Sequence, residues 1–205
     1  MFWKTNEAHG LAHNPFKSCV VPRPIGWISS VSADGHINLA PYSFFNGVSG
    51  EPPMVMFSST GSPPRASKDT VSNVEETGEF VCNMATWELR DQMNASSAPA
   101  AAEVSEFELA GLELAASELV KPPRVKIAPI HMECTYVDTM ELPCDTPGGR
   151  NALVVGKVIG IHINDTYISD GIIDITRIQP LARMGYQDYT SVERVFTLNR
   201  PTKAS

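Results

Sequence analysis

The sequence predicts a mainly β protein, an antiparallel barrel with peripheral helices. Six or more segments have strand character, strand partners follow one another directly in the chain, and few stretches could form a helix of several turns. At 205 residues and 42% hydrophobic, the chain can bury one substantial core. A single domain is therefore expected over residues 21–205, preceded by an N-terminal arm, residues 1–20.

Strand and turn signals are densest between Val21 and Ser59. Pro22 and Pro24 disfavour helix and regular ladder pairing at the strand entry, and Arg23 between them is either a partner for a phosphate or carboxylate or simply solvated. Gly26–Val31 is rich in β-branched and aromatic residues, Asp34-Gly35 is a tight-turn dipeptide, and Ile37–Phe45 begins by alternating apolar and polar residues, so these form a hairpin. The segment Gly47-Val-Ser-Gly50 and Pro52-Pro53 turn the chain into a third strand, Met54–Phe57. Ser29, Ser30, Tyr42, Ser43, Ser58 and Ser59 bring hydroxyls to the strand ends, interleaved with Phe44 and Phe45. A planar cofactor can rest on such a surface, although an ordinary half-buried meander has the same pattern.

After a Gly61-Ser-Pro-Pro loop, Ser67–Glu76 reads as a helix with Ser67 as its cap, Val71 and Val74 on one face and Gly78 as its stop. Lys68 sits awkwardly there, because it adds a positive charge where the helix dipole is already positive. Two readings are open. Either Asp69 compensates Lys68, or Lys68, the Thr70 hydroxyl and the first-turn amides form a small phosphate site.

Glu79–Asn83 is the next strand, followed by a Thr86-capped helix through Met93 and the polar loop Asn94–Pro99, where Asn94 either closes the helix or meets a ligand. The run Ala98–Ala102 is low in complexity and expected to be exposed, and Ser105 with Glu108 spells a capping box for one turn ending at Gly111. His131–Leu142 and Ala152–Asn164 make a long closing hairpin around the Cys144–Asn151 connection, with glycines where a barrel must bend. His162 alternates with Ile161 and Ile163, so it points either to a site or to solvent. Ile172–Ile178 is a short hydrophobic element with Asp174 and Arg177 exposed. In Leu181–Tyr189, Arg183 joins Tyr186 and Tyr189 in a group able to stack on a ring or bind its carbonyl edge.

The segments PRPIGW, NLAPYSFFN, PPMVMFS, Lys68-Asp69-Thr70, NASSAP, FELAG and LARMG occur in this order over most of the chain. Together they resemble the flavin reductase-like FMN-binding split barrels. The resemblance implies a split barrel, usually a homodimer, with FMN near the subunit interface and NADH or NADPH as hydride donor. Electrons would pass to free flavin for a partner monooxygenase, or to a redox protein as in flavoredoxins. Because the flavin itself accepts hydride, the site needs hydrogen-bond donors at the ring rather than a proton-shuttling triad. Expected FMN contacts are Ser29, Ser30, Tyr42, Ser43, Phe44, Phe45, Ser58, Lys68, Asp69, Thr70, Asn94, Arg183 and Tyr186, and His162 is the residue expected to assist catalysis by orienting a ring. An FMN-containing carrier or non-catalytic binding module remains the alternative, and a flavin-free hydrolase is a third class.

The formal net charge of -7, with no basic run, argues against nucleic-acid binding. No stretch approaches the roughly 20 apolar residues that span a bilayer, and the first residues lack a signal-peptide core, so a cytoplasmic location is expected. Cys19, Cys82, Cys134 and Cys144 have no metal-site spacing and are expected to be buried reduced thiols, while His9 and His13 precede Pro15 in a polar end unsuited to zinc. The sequence has no Gly-x-Gly-x-x-Gly, Walker loop or Gly-x-Ser-x-Gly elbow, so a nicotinamide would dock without a Rossmann domain.

Overall fold

The computed structural model of the chain describes residues 1–99 and 104–201, which places most of the expected alanine run outside the described residues. Seven strands form one antiparallel sheet: β1 (Gly26–Val31), β2 (Ile37–Tyr42), β3 (Phe45–Gly50), β4 (Pro53–Gly61), β5 (Glu79–Met84), β6 (Ile130–Leu142) and β7 (Arg150–Ile163). Their spatial order is β2-β1-β5-β6-β7-β4-β3. The two edge strands, β2 and β3, are thus consecutive in the chain, and Ser43-Phe44 crosses the seam between them.

This seam corrects the sequence reading. Ile37–Phe45 is not one strand, and Gly47-Val-Ser-Gly50 is not a turn, because Phe45–Gly50 pairs with β4 in its own right. The Ser58 amide donates to the Phe44 carbonyl at 2.8 Å, and the Phe45 ring lies over Gly26, where any Cβ would meet it at 2.4 Å. Glycine at position 26 therefore lets a β3 side chain lie against β1 across the seam.

Alternation along β1 divides the core in two. Trp27 packs outside the sheet with Leu39, Leu89, Met93, Phe107 and Val125, whereas Ile28 packs inside with Phe57, Phe80, Cys134 and Val154. Helix α1 (Asp69–Thr77) places Val71 and Val74 in this inner cluster. Gly78 ends α1 at φ 76° and returns its amide to the Val74 carbonyl, as the sequence indicates. In the long β6–β7 hairpin the register shifts at Val155/Gly156 and Val158/Gly160, where glycines accommodate the bend.

Three cap expectations fail. Lys68, not Ser67, precedes α1, and it makes no side-chain cap. Helix α2 spans only Arg90–Ala95, because Thr86 and Trp87 bond to the segment around Gln179 and Pro180 instead of opening the helix. The short helix α3 (Glu106–Leu109) has no side-chain bond from Ser105, since Glu106 turns inward to the sheet. All four cysteines are free, but only Cys82 and Cys134 are buried, while Cys144 is half-buried and Cys19 exposed. His9 bonds locally to the Leu11 amide while His13 packs on Tyr186, so the two do not converge. Among the described residues no helix is long and apolar enough to cross a membrane.

Candidate functional site

A cleft of about 530 Å³ opens where the seam, the end of β4 and the start of α1 meet. Pockets of this size commonly hold a small organic ligand or cofactor. Tyr42, Ser43 and Phe44 form one wall at the break between β2 and β3, and Ser58, Ser59 and Thr60 form another at the end of β4. Lys68, Asp69 and Thr70 close one end. Thus Tyr42, Ser43, Phe44, Ser58, Lys68, Asp69 and Thr70, expected from the sequence to share a site, do converge on one cleft.

The polar side chains there are held by specific partners. Asn38 Nδ2 donates to Thr70 Oγ1 at 2.7 Å, and the Tyr42 hydroxyl lies within hydrogen-bonding reach of Thr70 and Ser59. Burial, outweighing those hydroxyl contacts, pushes the Tyr42 phenol up to about 12, so it remains a protonated donor at neutral pH. Asn38 thus donates to the Thr70 hydroxyl oxygen and fixes that side chain at the cleft wall. Asp69 pairs with Arg65 at 3.2 Å, so it does not serve as counter-ion for Lys68, which makes no ion pair among the described residues. An exposed ammonium beside the first turn of α1 therefore suits an anionic ligand group.

Sequence reasoning missed several lining residues. Lys17 comes from the N-terminal arm, Arg65 from the loop after β4, and Ser96 to Pro99 from the segment after α2. The last segment was recognised as a loop, but only Asn94 was singled out there. Ser96 is fixed from below, accepting from Trp27 Nε1 at 2.9 Å and donating to the Met93 carbonyl at 2.8 Å. Glu106 also faces the cleft, and its Oε2 accepts from the outward-pointing Leu39 amide of edge strand β2 at 2.9 Å. Burial raises the Glu106 pKa, against the lowering effect of the amides of Leu39 and of Glu106 itself.

Other expected residues lie elsewhere. Ser29 and Ser30 are fully buried on opposite faces of β1. Ser29 Oγ donates to the Pro123 carbonyl at 2.6 Å, and Ser30 Oγ accepts from Asn73 Nδ2 at 3.1 Å, so neither hydroxyl reaches the cleft. Phe45 seals the seam over Gly26. Asn94 is exposed within α2 and does not line the cleft. Arg183 donates to the Tyr189 hydroxyl and the Tyr186 carbonyl, and half-exposed Tyr186 packs on His13, again outside the cleft. Arg23 is neither solvated nor aimed at an anion, because it is buried and donates to the carbonyls of Lys17, Val20 and Met184. It ties the arm that carries Lys17 to the body of the domain.

His162 is not in the cleft either. It lies ten residues beyond Ala152, the β7 partner of Ser59, which at ~3.3 Å per residue is about 33 Å along the strand. Its Nε2 is 2.5 Å from Oε1 of fully buried Glu133, whose carboxylate also accepts from the amides of Glu118 at 2.8 Å and Leu119 at 2.6 Å. It belongs to a loop clamp rather than to the cleft.

Residues 18–178 match the family described as flavin reductase like domain. An uncharacterised protein of Aquifex aeolicus is 38% identical over 174 residues, covering 83% of this chain and 84% of that protein. The structure of nitrilotriacetate monooxygenase component B from Bacillus cereus superposes with a TM-score of 0.83 at 29% identity, over 94% of this chain and 100% of that one. Flavoredoxin of Desulfovibrio vulgaris, at 17% identity, shares the fold with a TM-score of 0.74 over 99% of each chain. With more than half its length matched by the family and its fold shared along nearly the whole chain, this protein belongs to the flavin reductase-like family.

Proposed function

We propose that the cleft binds FMN and that the protein is an NAD(P)H-dependent FMN reductase working as a homodimer. The observation that carries this reading is the pairing of Lys68, which has no ion pair among the described residues, with the Asn38-held Thr70 hydroxyl at the start of α1, next to a wall of strand ends. Lys68, Thr70 and the first-turn amides would hold the phosphate, while Tyr42 to Phe44, Ser58 to Thr60 and the loop 96–99 would flank the ring. Bound flavin supplies the hydride-accepting centre. The chain contributes orientation and hydrogen-bond donors, with Ser58 and Thr60 available from β4. Likeness to a monooxygenase component favours an oxygenase partner as electron acceptor, and the flavoredoxin fold leaves a tightly held electron carrier as the second reading.

In a titration of binding, Lys68→Ala weakens FMN by roughly ten- to a hundredfold, the loss expected for one charge-assisted hydrogen bond of about 1.5–3 kcal/mol, and leaves riboflavin unchanged. Equal losses for both ligands would remove the phosphate assignment. Steady NAD(P)H oxidation with added FMN supports the reductase, whereas a protein purified yellow that does not oxidise NAD(P)H supports the carrier. Light scattering that finds a fully flavinylated monomer would overturn the dimer.

A further inference from the structure

We propose that Arg150, at the start of β7 and outside the cleft wall, is a positioning residue for phosphate recognition, holding the first turn of α1 in place through Ser67 and Glu75. The proposal rests on the FMN reading above and assigns a role to a residue that does not touch the ligand. Arg150 Nη1 donates to Ser67 Oγ and to Glu75 Oε2, each at 3.1 Å. Nη2 donates to Glu75 Oε1 at 2.7 Å and to Glu141 Oε1 at 2.5 Å, and Nε donates to Glu141 Oε1 at 2.9 Å. Every one of its N–H hydrogens thus has an acceptor.

These acceptors lie on three different pieces of chain. Ser67 immediately precedes Lys68, Glu75 is on the flank of α1, and Glu141 is on β6. One guanidinium therefore fixes the entry of α1 to its own side and to the sheet. Ser67 was the natural cap of this helix by sequence, yet its hydroxyl is turned to Arg150 and to Ser72 Oγ, and α1 carries no side-chain cap. Turning Ser67 away leaves the first-turn amides for a ligand instead of for an internal acceptor.

The backbone beneath is equally constrained. A Cβ on Gly61 would lie 1.7 Å from the Ala66 carbonyl oxygen, and one on Gly149 would lie 3.0 Å from the Gly61 carbonyl oxygen, so the segment leading into Ser67 is pressed onto the end of β4, which in turn lies against the chain just before β7. The paired carboxylates raise the already high pKa of Arg150, and Arg150 in turn holds the Glu75 carboxyl below its usual range. The fork geometry matters as well as the charge. A lysine offers a point charge and cannot span all three partners.

The test compares dissociation constants for FMN and riboflavin. Arg150→Gln lowers the preference for FMN about tenfold with riboflavin binding unchanged, and Arg150→Lys, which keeps only the charge, recovers less than half of that loss on a logarithmic scale. Glu141→Gln breaks part of the same network without touching α1, and it lowers the melting temperature while leaving the FMN preference intact. Should Arg150→Gln fail to fold, Ser67→Ala removes the tether alone and lowers the preference about threefold. If Lys68→Ala discriminates between the ligands but neither Arg150→Gln nor Ser67→Ala does, Arg150 has no positioning role. If wild-type protein binds both ligands equally, it is the FMN reading that fails.

Discussion

Replacing Gly61 with alanine lowers flavin affinity by a hundredfold or more and destabilises the domain by about 3 kcal/mol, near the upper end of overpacking penalties. The added methyl would lie 1.7 Å from the Ala66 carbonyl oxygen and 2.4 Å from its carbon. Both are backbone atoms, so no side-chain rotation relieves the clash. Either β4 shifts against β7, or the loop leading to Lys68 lifts away. The second is the easier movement, since residues 62–65 are exposed. Lys68 and Thr70 then leave the wall formed by Ser58 to Thr60. Urea denaturation and flavin titration on the same preparation check both parts. A Gly61→Ala protein with wild-type flavin affinity would show that the close approach of Ala66 does not shape the cleft.

Stability falls by about 3 kcal/mol between pH 6.5 and 4, and His131 is the main cause. Its ring is buried, its Nε2 is 2.8 Å from the Val125 carbonyl, and its Nδ1 has no partner among the described residues. Burial first, then the nearby charges of Arg124 and His162, lower its pKa from 6.5 to about 4, against the opposing pull of the Val125 carbonyl and Glu133. In the unfolded chain this histidine takes up a proton below about pH 6.5, which the folded protein refuses until about pH 4. The stabilisation is therefore complete above pH 6.5 and lost as the pH drops through that window. Glu133 adds a second loss further down. Burial alone would raise its carboxyl, but the Glu118 amide, His162 and the Leu119 amide hold it below the usual carboxylate range. Its contribution is present above the unfolded value near 4.5 and disappears as pH falls through the lowered folded value. His131→Gln keeps a donor for Val125 and should flatten the slope between pH 6.5 and 4 in urea melts. An unchanged slope would assign the acid sensitivity to other groups.

The strands were legible in the sequence wherever one face is apolar and the ends are punctuated, as in Gly26–Val31, Glu79–Asn83 and the long hairpin near 131–164. Strand β3 was not, because Phe45–Gly50 contains two glycines and a single β-branched residue, and only pairing with β4 makes it a strand. Lys68 and Thr70 could be singled out because a cation at a helix start conflicts with a local rule. Ser29 and Ser30 misled because alternation reveals that faces differ, not that both are covered, one by α1 and the other by the chain at Pro123. His162 misled for a related reason: its partner, Glu133, lies 29 residues away and is fixed by loop amides that no periodicity announces. Arg65 did leave a signal, since it stands four residues before Asp69 at ion-pair spacing.

The placement of β2 and β3 at opposite edges of the sheet constrains the order in which the chain can fold during synthesis. The first 61 residues hold β1 to β4, yet β4 pairs with β7 and β1 pairs with β5. As the ribosome releases the chain from its N-terminus, the β1–β2 and β3–β4 hairpins can form early, each with one edge awaiting a partner still unsynthesised. The run of pairings that joins the two hairpins is completed only after the residues of the 130–163 hairpin have emerged and inserted between β5 and β4. The seam between β2 and β3 is therefore drawn together only after residue 163 has emerged, rather than templating the first strands.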